Sequence, residues 1–120
     1  MPVKIRGVHK PGKGLIVVVV KNFPLIRAGK ILWWKEHQLE LKQQYPSIFS
    51  PGIHYVLFLK NDYKKDSGTD EDSDLLCFQE MNTEKNCISK ENRPLLVWHD
   101  ADGHTEYETE NIFQRFFRHF

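Results

Sequence analysis

The run LIVVVVKNFP, residues 15–24, decides the fold of this 120-residue chain. Its first six residues are apolar and mostly β-branched, so a strand built from them is hydrophobic on both faces. Such a strand belongs in the interior of a sheet that is covered on both sides. The proline at the end of the run suits the first turn of a helix, so a helix is expected to follow the strand.

The flanking segments extend this pattern in both directions. Residues 3–8 alternate apolar and charged side chains until Gly7-Val8, which predicts a short half-buried or edge strand. The glycines and proline of residues 10–14 predict a hairpin turn into the central strand. Residues 22–46 predict the main helix. Its core stripe is expected to be Leu25, Ala28, Leu32 and Leu39, widened by Ile31, Trp34, Leu41 and Tyr45, with Trp33 outside the arc.

The second half of the chain predicts further strands at 52–60, 74–81, 95–100 and 104–109. A mobile acidic loop is expected over 61–74 and a polar loop over 82–94. Thr109 is a suitable N-cap for a second amphipathic helix that ends the chain. The prediction is one α+β domain over 1–120, a mostly antiparallel sheet of about five or six strands with two helices packed on one face.

Several features favour a reduced, cytoplasmic protein that has no membrane association. The longest apolar run is six residues, against about 20 for a membrane-spanning helix. The first six residues alternate charged and apolar side chains and do not resemble a secretory signal. Cys77 and Cys87 are the two cysteines, and a disulfide between them is possible but not required.

The net charge of +1 conceals an asymmetry between the two halves. Residues 1–65 carry twelve lysines and arginines against three acidic residues, a balance of +9, whereas residues 66–120 carry five against thirteen, a balance of −8. The halves either neutralise each other within the fold or present opposite charge to a partner. The candidate binding residues are Lys4, Arg6, Lys10 and Lys13 on the first strand and its turn, and Lys30, Trp33 and His37 on the helix.

The stretch VWHDADGHTEY, residues 97–107, is the segment that most resembles a chemical site. Its candidate metal ligands are His99, Asp100, Asp102 and His104. The competing interpretation is a hairpin, because Asp-Gly is a favoured turn and the surrounding residues suit strands. We favour the hairpin. The sequence contains no phosphate-binding, dinucleotide-binding or nucleophile-elbow motif, so no cofactor is predicted and the balance leans away from an enzyme.

These observations predict a small, non-enzymatic intracellular binding protein that acts through a macromolecular interface. An inhibitor, an immunity or antitoxin-like protein and a homodimeric accessory factor all fit this description, and a protein partner or self-association is expected. The alternative is a nucleic-acid-binding protein that uses the basic N-terminal half. A third hypothesis is a metal-dependent enzyme with its site at His99 and His104.

Overall fold

The computed structural model of the chain describes residues 2–52, 54–68 and 74–110, and it confirms the α+β class. Within these residues there is one α-helix and there are two sheets. The elements in chain order are β1 (Lys4–Gly12), β2 (Leu15–Lys21), α1 (Arg27–Gln44), β3 (Tyr55–Leu59), β4 (Leu75–Cys77), a 3-10 turn (Gln79–Met81), β5 (Cys87–Ser89), β6 (Leu95–His99) and β7 (Thr105–Thr109).

The larger sheet has five strands in the order β1-β2-β3-β6-β7. Strands β2 and β3 are parallel and are connected through α1, whereas the other neighbouring pairs are antiparallel. The sheet is therefore mixed, with one parallel pair. The predicted N-terminal hairpin is confirmed, and β1 has an irregularity between Ile5 and Gly7, where the sequence alternation lapses.

Strand β2 is buried on both faces, as its composition predicts. Residues 16–20 have exposed fractions of at most 1%. Ile16, Val18 and Val20 face the helix and pack with residues such as Trp34 and Phe58. The alternate residues Val17 and Val19 belong to a second core on the opposite face, together with Leu59, Phe78 and Ile88. The domain thus has a helix on one face of the sheet and a second cover on the other.

That second cover is a small antiparallel hairpin formed by β4 and β5. A disulfide joins Cys77 to Cys87, which are paired across the two strands. Cys87 is fully buried, and its backbone exchanges two hydrogen bonds with Lys64. The expected strand at 74–81 is therefore only three residues long, and the expected polar loop over 82–94 contains β5.

The orientation of α1 agrees with the prediction for Trp34 and Leu41 but not for the central stripe. The helix begins at Arg27, and its buried residues are Lys30, Trp34 and Leu41. The predicted core stripe points outward instead, with Leu25, Leu32 and Leu39 exposed by 61%, 54% and 65%. The helix has apolar residues on two sides. The side that carries Trp34 packs on the sheet, where the indole makes an edge contact with Phe58.

In the C-terminal half, the predicted hairpin is confirmed, whereas the predicted second helix is not tested. Strands β6 and β7 form the expected hairpin, paired from Leu95 opposite Thr109 to His99 opposite Thr105. The predicted second helix falls on residues 111–120, outside the described residues.

Candidate functional site

An open groove lies between the edge strand β1 and helix α1. It encloses about 420 Å³, within the range of roughly 300–1,000 Å³ typical of ligand sites. The sheet order leaves β1 with a single described neighbour, β2, so the groove runs along a sheet edge. The lining residues are Pro2, Val3, Ile5, Trp33, His37, Glu40, Leu41 and Gln44. We call this feature the β1–α1 groove.

Trp33 and His37 form the aromatic wall of the groove. Their rings are stacked, with centroids 4.6 Å apart and planes inclined by 14°. The Trp33 ring also makes edge contacts with Phe23 and Phe58, so the indole is held by the core beneath it. His37 Nδ1 lies 2.8 Å from the carbonyl oxygen of Trp33 and donates to it when protonated. In the neutral ring this arrangement leaves Nε2 as the acceptor.

The remaining lining residues give the groove an apolar floor and a polar rim. Val3 and Ile5 are half-buried against the helix-side core, to which Leu41 belongs. Glu40 and Gln44 are exposed and supply a carboxylate and an amide. Glu40 is the single Asp, Glu, Lys or Arg among the described lining residues. The groove can therefore hold an apolar body and attract a positive charge at its rim.

The structure brings Trp33 and His37 together but places the predicted basic residues in different surroundings. Arg6 forms an ion pair with Asp62, and Lys10 Nζ donates to Ser50 Oγ at 3.2 Å. Lys30 is 3% exposed, and its Nζ donates to the backbone oxygen of Glu110. Lys4 and Lys13 are exposed on β1 and on the turn that follows it.

The stretch with two histidines forms the tip of the β6–β7 hairpin, as we favoured. Asp100 Oδ1 accepts hydrogen bonds from the backbone N–H groups of Asp102 and His104, both at 2.9 Å. Potential ligand atoms of Asp100, Asp102 and His104 lie within 4.8 Å of one another. His99 is outside this group and contacts Thr105 instead, with Nδ1 3.2 Å from the hydroxyl oxygen. The geometry is that of a side-chain-stabilised turn.

A second polar cluster, which the sequence did not reveal, lies on the other face of the sheet. His9 is 6% exposed and stacks on Phe78, with ring centroids 3.7 Å apart. Its Nδ1 is 3.0 Å from Glu80 Oε1, and its Nε2 is 2.6 Å from the Tyr63 hydroxyl. We call these residues the His9 clamp. A side chain at Gly7 would overlap the Tyr63 hydroxyl, which explains the glycine in β1.

Burial, nearby charges and hydrogen bonds together set the pKa values of Tyr63 and Glu80 in the His9 clamp. Burial raises the pKa of Tyr63 to about 12, an effect that Arg6 opposes and Glu80 reinforces. Burial alone would raise the pKa of Glu80, but the hydrogen bonds from His9 and from the backbone outweigh it and lower that pKa. Both effects suit a neutral Tyr63 that donates to His9 and an ionised Glu80 that accepts from it.

The His9 clamp resembles a catalytic triad but is built to hold two elements together. Both ring nitrogens of His9 are engaged by protein partners, and its ring is covered by Phe78. With 6% of its surface exposed, His9 offers a substrate little access to its ring. Instead, it ties β1 to Phe78 and Glu80, next to the disulfide hairpin. No motif connects these three residues, since 54 and 71 positions separate His9 from its partners.

These features define a small α+β domain with an oxidised hairpin on one face of its sheet and an open apolar groove beside the other. A family described as "Enterobacterial putative membrane protein (DUF943)" matches residues 1–116, and the chain belongs to this family. No curated protein and no solved structure matches the chain.

Membership of this family corrects the predicted setting of the protein. A description as an enterobacterial membrane protein conflicts with the predictions of a cytoplasmic location and of no membrane association. The predicted intracellular binding protein, with its inhibitor, accessory-factor, nucleic-acid and metal-enzyme variants, is therefore not retained. Across the described residues, no helix combines the length and the apolar character needed to cross a bilayer.

The raised pKa of Tyr63 predicts a specific response to alkaline pH. The folded state keeps this hydroxyl protonated up to about pH 12, whereas the unfolded chain loses the proton near 10. The contribution to stability is therefore complete below pH 10 and is lost as pH rises from 10 to about 12. In a titration followed by tyrosinate absorbance, Tyr63→Phe should remove the tyrosine ionisation that occurs at the highest pH, near 12.

The matched control for this titration is Tyr55→Phe, because Tyr55 is 46% exposed and lies at the start of β3. This variant should retain the late ionisation. A titration in which Tyr63→Phe and Tyr55→Phe remove the same part of the curve would contradict the buried hydrogen bond to His9.

Proposed function

We propose that the chain is a ligand-binding domain of the enterobacterial envelope, folded outside the cytoplasm. Its ligand is an extended apolar group that carries a positive charge, and it is held in the β1–α1 groove. The observation that carries this proposal is the groove itself, a volume of about 420 Å³ with an apolar floor that the fold leaves open beside an edge strand.

The chemistry of the lining supports an elongated, apolar ligand. Val3, Ile5 and Leu41 provide aliphatic surface, and Trp33 provides a flat aromatic one. Burial of apolar ligand surface against such residues is the main source of affinity in sites of this kind. Because the indole of Trp33 is held by Phe23 and Phe58, little ordering is needed when a ligand packs against it.

The rim of the groove supports a cationic end group on the ligand. Glu40 brings a carboxylate to the rim, and no lysine or arginine lies among the described lining residues. A primary ammonium near Glu40 would gain a charge-assisted hydrogen bond, whereas a carboxylate in the same position would be repelled.

The disulfide and the family description together support the location. Disulfides persist in oxidising compartments such as the bacterial periplasm and are rare in the cytosol. The bond between Cys77 and Cys87 closes the hairpin that covers Val17 and Val19 of β2, and Cys87 is fully buried, so the bond is structural. An enterobacterial membrane protein that folds around such a bond is expected to place this domain on the periplasmic side.

The groove is tested with two probes of equal chain length and opposite charge, hexylamine and hexanoate. In amide correlation spectra, hexylamine should shift the signals of Val3, Ile5 and the Trp33 indole. Hexanoate should bind about tenfold more weakly or not at all, because Glu40 repels it. Glu40→Gln should remove this difference while preserving the apolar contact.

The matched control is Glu36→Gln, which removes an exposed carboxylate from the same helix outside the groove lining. It should leave the preference for hexylamine intact. Shifts that are absent with both probes, or that centre on residues away from the groove, would overturn the proposed site.

The location is tested by trapping the thiols in growing enterobacterial cells that make the protein. The cells are quenched with acid, and the denatured protein is labelled with a maleimide polymer. The wild-type protein should show no increase in mass unless a reductant is added before the label. The Cys77→Ser variant should take up one label and serves as the positive control. Two labels on the unreduced wild-type protein would contradict a periplasmic location.

A further inference from the structure

The outward face of α1 and the turn before it carry an apolar strip that no described residue covers. Ile26 is 74% exposed, and Leu25, Leu32 and Leu39 are each exposed by more than half. Leu32 and Leu39 are seven residues apart, so they lie on one side of the helix. We call these four residues the leucine stripe. Isolated exposed leucines are ordinary, whereas several large apolar side chains exposed on one helix and the turn before it indicate an interaction surface.

The leucine stripe is separate from both the core and the groove. At about 100° per residue, Leu32 is roughly 180° around the helix from Leu41, which is buried against the sheet. Trp33, on the groove wall, lies between these two directions. A partner on the leucine stripe would therefore leave the β1–α1 groove open.

Charged residues border the leucine stripe with different signs on its two sides. Lys35 and Lys42 lie on one side, where Lys35 Nζ is 5.9 Å from the centre of the Tyr107 ring and Lys42 Nζ is 5.9 Å from the centre of the Trp34 ring. Glu36 and Glu40 lie on the side toward the groove. If the helix is rotated about its axis toward the lysine side, its leucines and ammonium groups can contact the same flat surface.

We propose that α1 lies on an anionic phospholipid bilayer through the leucine stripe, with Lys35 and Lys42 at the lipid phosphates. An 18-residue helix is about 27 Å long, and in this arrangement it would lie parallel to the surface. The leucines enter the boundary between headgroups and acyl chains, and the lysines remain at the headgroups. This inference rests on the envelope location proposed above, because it needs a membrane beside the domain.

The bilayer is favoured over a second copy of the chain by the family description and by the position of the lysines. A membrane protein family provides the lipid surface without a further partner. In an antiparallel helix pair packed through the leucine stripe, the lysine side of one helix would face the lysine side of the other, and like charges would oppose that contact. Anionic phospholipid instead attracts the lysine side.

The test measures sedimentation of the full chain with vesicles. One set contains phosphatidylglycerol and phosphatidylethanolamine, and the other contains only phosphatidylcholine. The wild type should partition onto the anionic vesicles, and Leu32→Ser/Leu39→Ser should lower the partition coefficient by at least about tenfold. Lys35→Gln/Lys42→Gln should abolish the preference for anionic lipid.

Two controls separate lipid contact from a loss of folding. Tyr55→Ser removes an exposed aromatic side chain from β3 and should leave partitioning unchanged. Because Leu32 and Leu39 point away from the core, their serine variants should keep the wild-type circular dichroism and hexylamine binding. Hexylamine binding also distinguishes the two proposals, since it reports on the groove alone.

Three results would overturn the inference. The first is a wild type that sediments with neither set of vesicles, and the second is a pair of leucine substitutions that leaves sedimentation unchanged. Alternatively, analytical ultracentrifugation without lipid could show a dimer that Leu32→Ser/Leu39→Ser dissociates, which would make the stripe an interface between two copies of the chain.

Discussion

The structure depends on one constraint, which is that β2 is hydrophobic on both faces and must be covered on both. Its five central residues are almost completely removed from solvent. Helix α1 covers one face because the crossover from β2 to the parallel strand β3 passes over it. The other face needs a separate cover, and the β4–β5 hairpin provides it. Both proposed surfaces follow, since α1 forms the groove with β1 and also carries the leucine stripe.

The second cover is small and is held in place by two devices. A hairpin of two three-residue strands is too short to be stable by itself, so the bond between Cys77 and Cys87 closes it. The His9 clamp then ties the turn that follows β4 to strand β1. Since one face of the central sheet depends on an oxidised hairpin, the fold is matched to a compartment that maintains disulfides. This physical requirement connects the core of the domain to the envelope setting that we propose for it.

The sequence predicted the features that local patterns determine. The central position of β2, the N-terminal hairpin and the turn at Asp100 all follow from strand and turn chemistry. The central stripe of α1 was predicted wrongly, although Trp34 and Leu41 from the wider predicted arc are buried, because periodicity identifies an apolar arc without showing what covers it. The disulfide and the His9 clamp depend on contacts between distant segments, which a single sequence does not encode in any motif. In the groove, Trp33 and His37 were proposed from sequence, whereas its floor required the packing of β1 against α1.

Urea unfolding of the oxidised protein and of Cys77→Ala/Cys87→Ala tests the central claim most directly. The cysteines are ten residues apart, and closing a loop of that size should contribute about 3 kcal/mol to the free energy of unfolding. We expect a loss of about this size in the variant, with more binding of an apolar dye as the second face of β2 is uncovered. Equal unfolding free energies and equal dye binding would contradict an essential second cover held by the disulfide.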